Sequence, residues 1–335
     1  MTDTRQPLEL VCPAGTPAAL KAAVEAGADV VYIGFRDETN ARNFPGLNFS
    51  RDEAREAIAF AHERGAEVYI AINTYPRAGD GRPWRDAVDD AARIRADAVI
   101  LADIGLLDYA ARTHPDLRRH LSVQASASHA QSINFYARNF GVRRVVLPRV
   151  LTVPEIAALT PTIDVETEVF AFGGMCPMAE GRCSLSSYVT GQSPNMNGVC
   201  SPAAFVRYEE RREGLVSLLN GSVINVFEKH EAAGYPTLCK GRFRVGDSAG
   251  YLFEEPTSLS VAEIVKDLMT AGVTALKIEG RQRGKAYIAE VVSAFRKVVD
   301  AAARDLPPPA GEVAKLRRLT EGQSETTGAY KKSWR

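Results

Sequence analysis

The sequence predicts an α/β protein with a (β/α)8, TIM-like barrel. Short runs rich in Val, Ile and Leu recur along the chain, and they are apolar throughout, as strands of a buried parallel sheet are. Helix-like segments with start and stop signals lie between these runs. The glycine-rich phosphate-binding motifs of nucleotide-binding open sheets do not occur in the sequence. Eight strands with helices between them favour a closed barrel over a doubly wound sheet.

Seven strand candidates come first in the chain, and the eighth follows a long interruption. They are LELVCPA (8–14), ADVVYIG (28–34), AEVYIAIN (66–73), DAVILAD (97–103), LSVQAS (121–126), RRVVLPR (143–149), VETEVFAF (165–172) and TALKIEG (274–280). In a barrel of this kind the carboxyl ends of the strands form one face, and chemistry is carried out there. Polar residues at these ends are therefore the first candidates for a functional site.

Capping residues mark the helix boundaries. Thr16 precedes the segment PAALKAAVEAGA, Pro17 suits its first position, and Gly27 suits its end. Ser50 and Glu53 form a capping-box pattern at the start of RDEAREAIAFAHERG. The other helix candidates are WRDAVDDAARIR, HAQSINFYARNFG, VPEIAAL, SLSVAEIVKDLMTAG and KAYIAEVVSAFRKVVDAAAR.

The alternation of strands and helices stops between the seventh and eighth strands. Residues 173–257 are rich in Gly, Ser, Pro and Asn, show little regular pattern, and contain four of the five cysteines. A segment of this length is hard to order inside a compact domain without a cross-link. We therefore predict a barrel over residues 1–303 with a cysteine-bearing insertion at 173–257. Residues 304–335 are predicted to be an extension packed on the surface.

Composition excludes several classes of function. Lys plus Arg and Asp plus Glu both total 41, so no net charge attracts the chain to nucleic acid or to an anionic membrane. The first residues, MTDTRQPLEL, lack the pattern of a secretory signal, and no apolar run is long enough for a membrane span. The sequence therefore predicts a soluble, cytoplasmic protein without nucleic-acid binding or a membrane span.

The cysteines point to a bound metal or cluster. In a reducing compartment thiols rarely form structural disulfides, which leaves buried thiols, metal ligands or a nucleophile. Cys176, Cys183, Cys200 and Cys239 all lie in the glycine-rich insertion, where a flexible backbone can wrap around a cluster. Structural zinc sites favour close C-x2–4-C pairs, which this sequence lacks. The wide spacing of the four insertion cysteines favours an iron–sulfur cluster. A zinc site and unligated thiols remain the alternatives. Cys12, inside the first strand, is interpreted as a core thiol.

Polar residues at the strand ends predict a site that binds an anion and handles protons. They are Asn73, Asp103, Gln124, Ser126, Arg149, Glu168, Glu279 and Arg281. We take Glu279, Arg281 and Glu168 as the catalytic candidates because carboxylates and arginines on one face suit proton transfer and anion binding. In the alternative interpretation, Glu168, Lys277 and Glu279 only neutralise one another inside the barrel.

Three segments resemble one family. LVCPAG followed by AAVEAGADVVYIGF, the run FGGMCPMAEGRCSLSSYVTGQSPNMNGVCSP, and LKIEGRQRGKAYI are similar to the collagenase-like peptidase family, unassigned-peptidase family 32. The similarity extends from about residue 8 to residue 300, and the cysteine run is its most specific part. GFRDETNARNFPGLNFS and AGYPTLCKGRF resemble a subgroup that acts in oxygen-independent ubiquinone biosynthesis.

The resemblance implies a [4Fe–4S] cluster bound by Cys176, Cys183, Cys200 and Cys239, which makes 173–257 an iron–sulfur cluster-binding insertion. It also implies a heterodimer with UbiV, a related cluster-carrying subunit, and a hydroxylase that acts on quinone precursors. In relatives that hydroxylate RNA, prephenate is thought to supply the oxygen. The alternatives are RNA hydroxylation, proteolysis, and a non-catalytic partner subunit stabilised by its cluster. Proteolysis has little support because no HExxH zinc motif occurs.

Overall fold

Residues 8–176, 183–192, 200–231, 233–320 and 324–332 are described by a computed structural model. Within these ranges, eight parallel strands close into a barrel surrounded by helices, which confirms the predicted fold class. Strand β14 pairs with both β1 and β7 and thereby closes the barrel. The barrel strands are β1 (Glu9–Pro13), β2 (Val30–Ile33), β3 (Glu67–Ile72), β4 (Ala98–Leu101), β5 (Arg118–Leu121), β6 (Val142–Val146), β7 (Glu166–Gly174) and β14 (Ala275–Ile278).

Helices follow the strands in the order expected for this fold. In chain order they are α1 (Pro17–Glu25), α2 (Arg51–His62), α3 (Arg82–Arg93), α4 (Ile104–Thr113), α5 (Ala130–Phe140), α6 (Val153–Leu159), α7 (Ser184–Thr190), α8 (Val265–Thr270), α9 (Lys285–Ala303) and α10 (Ala310–Arg318). The predicted caps are present. The Thr16 side chain accepts a hydrogen bond from the Ala19 N–H, and Ser50 and Glu53 form both bonds of the capping box.

The apolar core lies mainly between the barrel and its helices. Fully buried aromatic residues such as Phe49, Trp84 and Phe295 fill this layer. The barrel interior is smaller and mixed in character. It contains a short apolar cluster together with four buried polar side chains, His120, Arg144, Glu168 and Lys277. This interior polarity continues toward the strand ends, where the candidate site lies.

Two predicted elements differ from the structure. Only Leu121 of the predicted strand 121–126 belongs to β5, and Val123–Ala125 form a 3-10 turn in which the Ser122 hydroxyl accepts a hydrogen bond from the Gln124 N–H. β5 begins with charged residues, so a search for apolar runs does not recognise it as a strand. Helix α4 was not anticipated. The segment 258–272 begins as a strand because it pairs with the end of β7, and its helix starts at Val265.

The insertion between β7 and β14 has regular structure that the sequence did not predict. Its described part contains α7, an antiparallel sheet and a hairpin. The strands are β8 (Val206–Arg211), β9 (Gly214–Leu219), β10 (Ser222–Phe227), β11 (Arg242–Val245) and β12 (Ser248–Tyr251), followed by β13 (Ser258–Ser260). Regular structure therefore forms in a segment whose sequence shows little regular pattern. β8, β11 and β12 are largely exposed, so the apolar signal used to recognise strands is weak there.

The C-terminal segment packs against the barrel. Strand β15 (Glu325–Thr326) pairs in parallel with β13, which itself pairs with the end of β7. The buried Tyr330 hydroxyl donates a hydrogen bond to the Phe170 carbonyl of β7 at 2.8 Å. Within the described ranges, no helix is both long and apolar enough to cross a membrane.

Candidate active site

Glu279 lies at the mouth of the barrel, one residue after β14. Its backbone N–H donates to the Phe172 carbonyl at 2.7 Å, which continues the pairing of β14 with β7. Gly173 on β7 faces it with a φ of 135°, and a Cβ atom there would lie 2.6 Å from the Glu279 Cβ atom. Because real Cβ contacts are not that short, the close approach of the two strand ends requires glycine at position 173.

The Glu279 carboxylate is paired with two arginines. Arg149 Nη2 donates to Oε2 at 2.5 Å, and Arg42 Nη2 lies 3.7 Å from Oε1. Burial alone would raise the pKa of Glu279, but the two guanidinium groups hold it below its ordinary value. The carboxylate therefore remains ionised near neutral pH and joins two positive charges at the mouth.

Arg149 is held by an aromatic ring as well as by the carboxylate. Its guanidinium carbon lies 3.5 Å from the centroid of the Phe170 ring, and the residue is buried. A flat guanidinium group stacked on a ring loses much of its rotational freedom, so its donors keep a constant direction. This arrangement suits recognition of a carboxylate or another planar anion.

Arg42 was missed by sequence reasoning because it lies in the loop from β2 to α2 and not at a strand end. Asparagine side chains bind the backbone around it. Asn40 Oδ1 accepts from the Arg42 N–H at 3.0 Å, and Asn48 Nδ2 donates to the Arg42 carbonyl at 2.8 Å. Asn73 Oδ1 accepts from the neighbouring Ala41 N–H at 3.0 Å. Repeated Asn in an otherwise irregular loop was the available signal, since Asn side chains often bond to nearby backbone.

Arg281 contacts this loop and not Glu279. Its Nη1 donates to Asn40 Oδ1 at 3.1 Å, and its guanidinium carbon lies 5.7 Å from the centroid of the Tyr32 ring. Burial lowers the pKa of Arg281 to about 10. Gly34 has no room for a side chain, because a Cβ atom there would lie 2.7 Å from Arg281 Nη1. Arg281 thus packs tightly against backbone beneath the loop.

Glu168, the third catalytic candidate, lies inside the barrel. It is fully buried, and the Lys277 ammonium donates to its Oε1 at 2.6 Å, while Arg144 Nη1 lies 3.5 Å from Oε2. Burial lowers the pKa of Lys277, and the Glu168 carboxylate opposes that shift. Glu168 and Lys277 therefore neutralise each other inside the barrel, as the alternative interpretation expected. Glu279 does not join them and pairs with arginines at the mouth.

Other strand-end residues have structural contacts. The Asp103 side chain accepts from the Leu106 N–H at 2.9 Å and caps α4. The Gln124 carbonyl accepts a hydrogen bond from the Tyr75 hydroxyl at 2.7 Å. Ser126 has a left-handed backbone with a φ of 54°. None of these contacts, within the part of the chain that the structure describes, joins the Glu279 pair.

Contacts join segments that carry the insertion cysteines: Cys183 precedes α7, and α7 contacts the turn Leu238–Lys240, which contains Cys239. Cys239 interacts electrostatically with Cys200 and Cys183, and burial followed by these neighbours raises its pKa although Thr237 opposes the shift. Burial lowers the pKa of Arg42, but the negative charges of Glu279, Cys200 and Cys176 together hold it above its ordinary value. Hydrogen bonds join the segment that carries Cys200 to α7 and to the loop before Cys239. The Ser186 hydroxyl of α7 donates to the Cys200 carbonyl, and the Tyr235 hydroxyl donates to the Ser201 carbonyl at 2.8 Å.

The described thiols are not arranged for a single metal ion. Across residues 8–176, 183–192, 200–231, 233–320 and 324–332, no three His, Cys, Asp or Glu side chains are grouped closely enough to hold one metal ion. A cubane separates its four cysteine ligands more widely than a single ion does. Three of the four thiols are partly buried and Cys176 is exposed, so a cluster could be reached from solvent. The parts of the cysteine run at 177–182 and 193–199 lie outside the described residues.

Cys12 is separate from this group. It is fully buried in β1, its Sγ donates weakly to the Leu10 carbonyl at 3.8 Å, and burial raises its pKa well above the ordinary value. A thiol that is fully enclosed and has a raised pKa is a poor nucleophile at neutral pH. Cys12 therefore packs as a small apolar residue.

Comparison with known proteins identifies the family. The model of peptidase family U32 matches residues 15–329. This chain belongs to family U32. The U32 relative "tRNA hydroxylation protein P1" of Bacillus subtilis (strain 168) is 30% identical over 308 residues, covering 90% of this chain and 65% of that protein. "tRNA hydroxylation protein P" of Escherichia coli (strain K12) is 30% identical over 322 residues, covering 89% and 69%. This U32 chain thus spans about two thirds of the length of such curated relatives.

A solved structure supports the fold of this U32 chain. The U32 peptidase Mk0906 matches with a TM-score of 0.50 and 13% identity, covering 84% of this chain and 96% of that chain. At this identity the likeness concerns the fold alone.

Proposed function

We propose that this U32 chain is a subunit of an oxygen-independent hydroxylase that carries a [4Fe–4S] cluster on Cys176, Cys183, Cys200 and Cys239. We further propose that it acts on ubiquinone precursors, as UbiU does, together with a UbiV-like partner subunit, and that prephenate is its oxygen donor. The observation that carries the proposal is that contacts hold the segments of Cys183, Cys200 and Cys239 together, in an insertion that follows β7 at the mouth of the barrel.

The names of the relatives support the class of reaction. Two U32 proteins that match most of this chain are named as hydroxylation proteins. The choice of a quinone precursor over RNA rests on segments that resemble UbiU, GFRDETNARNFPGLNFS and AGYPTLCKGRF, and on the balance of 41 basic and 41 acidic residues. A zero net charge gives a chain little general attraction for a polyanion.

The mouth residues can bind and orient an anionic molecule. A bound cluster would supply electron transfer or activation of the oxygen donor. Arg149, stacked on Phe170, offers fixed donors for a carboxylate. Glu279 keeps the guanidinium groups of Arg149 and Arg42 together in the absence of another anion, and as an ionised carboxylate it can accept a proton from a bound molecule.

The first experiment measures iron, sulfide and the absorption spectrum of the chain purified without oxygen. We expect about four iron atoms and four sulfides per chain. Zinc, or no metal at all, would reject the cluster. The substrate is tested in a bacterium that lacks this gene and is grown without oxygen. The expected result is loss of hydroxylated quinone intermediates and recovery on restoring the gene.

RNA hydroxylation is the second candidate, because relatives at 30% identity are named for tRNA hydroxylation. The same cells distinguish it. Mass spectrometry of nucleosides from their tRNA and rRNA would then show loss of a hydroxylated nucleoside, while quinone levels would remain normal. Normal levels of both products would leave proteolysis or a non-catalytic subunit as the function.

A further inference from the structure

We propose that Glu279 is a built-in competitor for the ligand of the barrel mouth. Its carboxylate lies between Arg149 and Arg42, where the carboxylate of a small planar ligand binds, and the ligand displaces it. This inference rests on the anion-binding mouth of the proposed function. It gives Glu279 control over ligand entry in addition to its part in proton transfer.

The two arginines are spaced to hold one carboxylate between them. Arg149 Nη2 lies 2.5 Å from Glu279 Oε2, and Arg42 Nη2 lies 3.7 Å from Oε1, so each oxygen faces a different guanidinium group. The first distance is that of a short charge-assisted hydrogen bond, whereas the second exceeds hydrogen-bond range. Glu279 therefore binds Arg149 closely and pairs only loosely with Arg42.

The main chain of Glu279 is held in a way that limits this fit. Its N–H donates to the Phe172 carbonyl at 2.7 Å, and a Cβ atom added at Gly173 would lie 2.6 Å from the Glu279 Cβ atom. These contacts fix the point from which the side chain starts. A free carboxylate has no such anchor and can lie within hydrogen-bond distance of both arginines. An untethered ligand therefore fits the two arginines better than Glu279 does.

Positive charge exceeds negative charge at the mouth. Arg281 follows Glu279 by two residues and is only 5% exposed, and its guanidinium donates to the neutral Asn40 amide. Among the described residues no carboxylate lies within ion-pair distance of Arg281, and Arg149 and Arg42 share the carboxylate of Glu279. A buried cation without an opposite charge is costly. A further anion at the mouth is therefore stabilised by charge that the chain itself leaves unbalanced.

The exposure of the side chains indicates how one carboxylate replaces the other. Those of Arg42 and Glu279 are 41% and 23% exposed, whereas that of Arg149 is 7% exposed. Arg149 is held by its stacking on the Phe170 ring, while the Glu279 side chain can rotate toward solvent. A ligand that enters restores the bond to Arg149. Its apparent affinity is reduced by the fraction of molecules in which Glu279 occupies the site.

The test measures benzoate binding to the anaerobically purified full chain by isothermal titration calorimetry, with benzamide as the neutral probe. We expect Glu279→Gln to bind benzoate about tenfold more tightly than wild type, because the competing charge is gone, without a gain for benzamide. Glu279→Asp, with a shorter side chain on the same anchor, should also gain affinity. Arg149→Gln should abolish binding. Glu56→Gln removes one negative charge from the exposed face of α2 and should leave the affinity unchanged.

The outcomes separate this inference from the proposed function. Equal or weaker benzoate binding by Glu279→Gln and Glu279→Asp would make Glu279 part of the binding site and overturn its role as a competitor. Binding that is undetectable in every folded variant, or that survives Arg149→Gln, would also overturn it. An equal gain in Glu56→Gln would reveal a general effect of net charge, with the same consequence. If Glu279→Gln does not fold, Glu279→Asp decides the comparison. Failure of the proposed function is detected separately, by the iron and sulfide content and by the quinones of anaerobic cells.

Discussion

The Glu279 side chain is the one carboxylate at the mouth that contacts two arginines, among the residues that the structure describes. We predict that Glu279→Gln abolishes hydroxylation and lowers the melting temperature, while the iron content stays near that of wild type. The neutral amide keeps the shape but loses the negative charge that pairs the arginines and can accept a proton. Hydroxylated quinone intermediates in anaerobic cells provide the measurement.

Glu56→Gln is the matched control for this change, because Glu56 lies exposed on α2 and away from the mouth. It should retain full activity. Normal quinone production by Glu279→Gln would remove that carboxylate from the reaction. Loss of iron in the same variant would instead make Glu279 a residue that supports the cluster site.

His120 is a buried titratable residue whose burial affects how stability depends on pH. It is fully buried in the barrel, neither ring nitrogen has a hydrogen-bond partner among the described residues, and its ring makes an edge contact with Tyr69. Burial, followed by the charges of Arg144, Arg118 and Lys277, holds its pKa well below the ordinary value. The native state therefore keeps His120 neutral in conditions where the unfolded chain would bind a proton.

We predict that His120→Leu makes the protein less sensitive to acid. Below about pH 6.5 the unfolded wild-type chain binds a proton at this histidine that the native state does not, so stability falls as the pH falls. At about pH 7 the variant should remain within about 1 kcal/mol of wild type, because the lost nitrogens were unpaired. Urea unfolding at about pH 7 and about pH 5 measures the difference. His129→Gln, at an exposed site, should retain the wild-type slope; an equal slope in His120→Leu would contradict the prediction.

Sequence reasoning identified which residue types would line the mouth but not all of their contacts. Glu279 and Arg149 could be predicted because they lie within three residues of a strand end. Arg42 could not, because its position depends on side-chain bonds from Asn40, Asn48 and Asn73 that have no regular spacing. The pairing of Glu168 with Lys277 was anticipated only as an alternative. The sequence of a strand shows which residues share a face, but not which residue of the adjacent strand each of them contacts.

At the scale of elements, local sequence patterns predict the barrel, whereas the strands of the insertion depend on contacts with distant segments. Barrel strands are buried on both faces, and helix caps such as Ser50 act within a few residues, so local patterns predict them. β8 is exposed along most of its length, and it forms because β9 pairs with it. β5 starts with Arg118 and Arg119, whose charges are satisfied by distant groups such as Glu67 and the Phe140 carbonyl. Such tertiary partners do not appear in a sequence window.

The C-terminal segment is linked to the mouth through Tyr330. Its hydroxyl donates to the Phe170 carbonyl, and its own carbonyl accepts from the Val153 N–H at the start of α6. Phe170 carries the ring beneath Arg149, and Val153 closely follows Arg149 in the chain. Tyr330 therefore anchors both sides of the segment that presents Arg149.

We predict that Tyr330→Phe lowers the free energy of unfolding by about 1 kcal/mol, since it leaves a buried carbonyl with one bond fewer. The reduction should be accompanied by faster proteolytic cleavage near residues 320–332, because the segment is held less firmly. Urea unfolding and limited proteolysis followed by mass spectrometry provide the measurements. Tyr188→Phe, at a side chain that is 90% exposed, should change neither quantity. Equal behaviour of the two variants would mean that the Tyr330 hydroxyl adds no stability.

At the scale of the whole molecule, the barrel and the insertion differ in what stabilises them. The barrel has a closed sheet and a continuous apolar layer beneath its helices. The described part of the insertion buries only a small apolar group on one sheet, namely Val216, Leu218, Leu219, Ile224 and Phe227. Small cores of this size need an additional cross-link to remain ordered. A cluster bound by four cysteines would supply that link.

Cys176→Ala is therefore predicted to remove the cluster and to loosen residues 173–257 while the barrel stays folded. Native-state hydrogen exchange on the full chain should show faster exchange in β8, β9 and β10 and unchanged protection in the barrel strands. Cys12→Ala is the control, and we expect it to keep its full iron content. It should destabilise the barrel by about 1 kcal/mol, because it removes a packed thiol from β1. Retention of full iron and sulfide by Cys176→Ala would contradict its assignment as a ligand. Loss of iron with unchanged exchange in the insertion would show that the insertion is stable without the cluster, so that the cluster would serve chemistry alone.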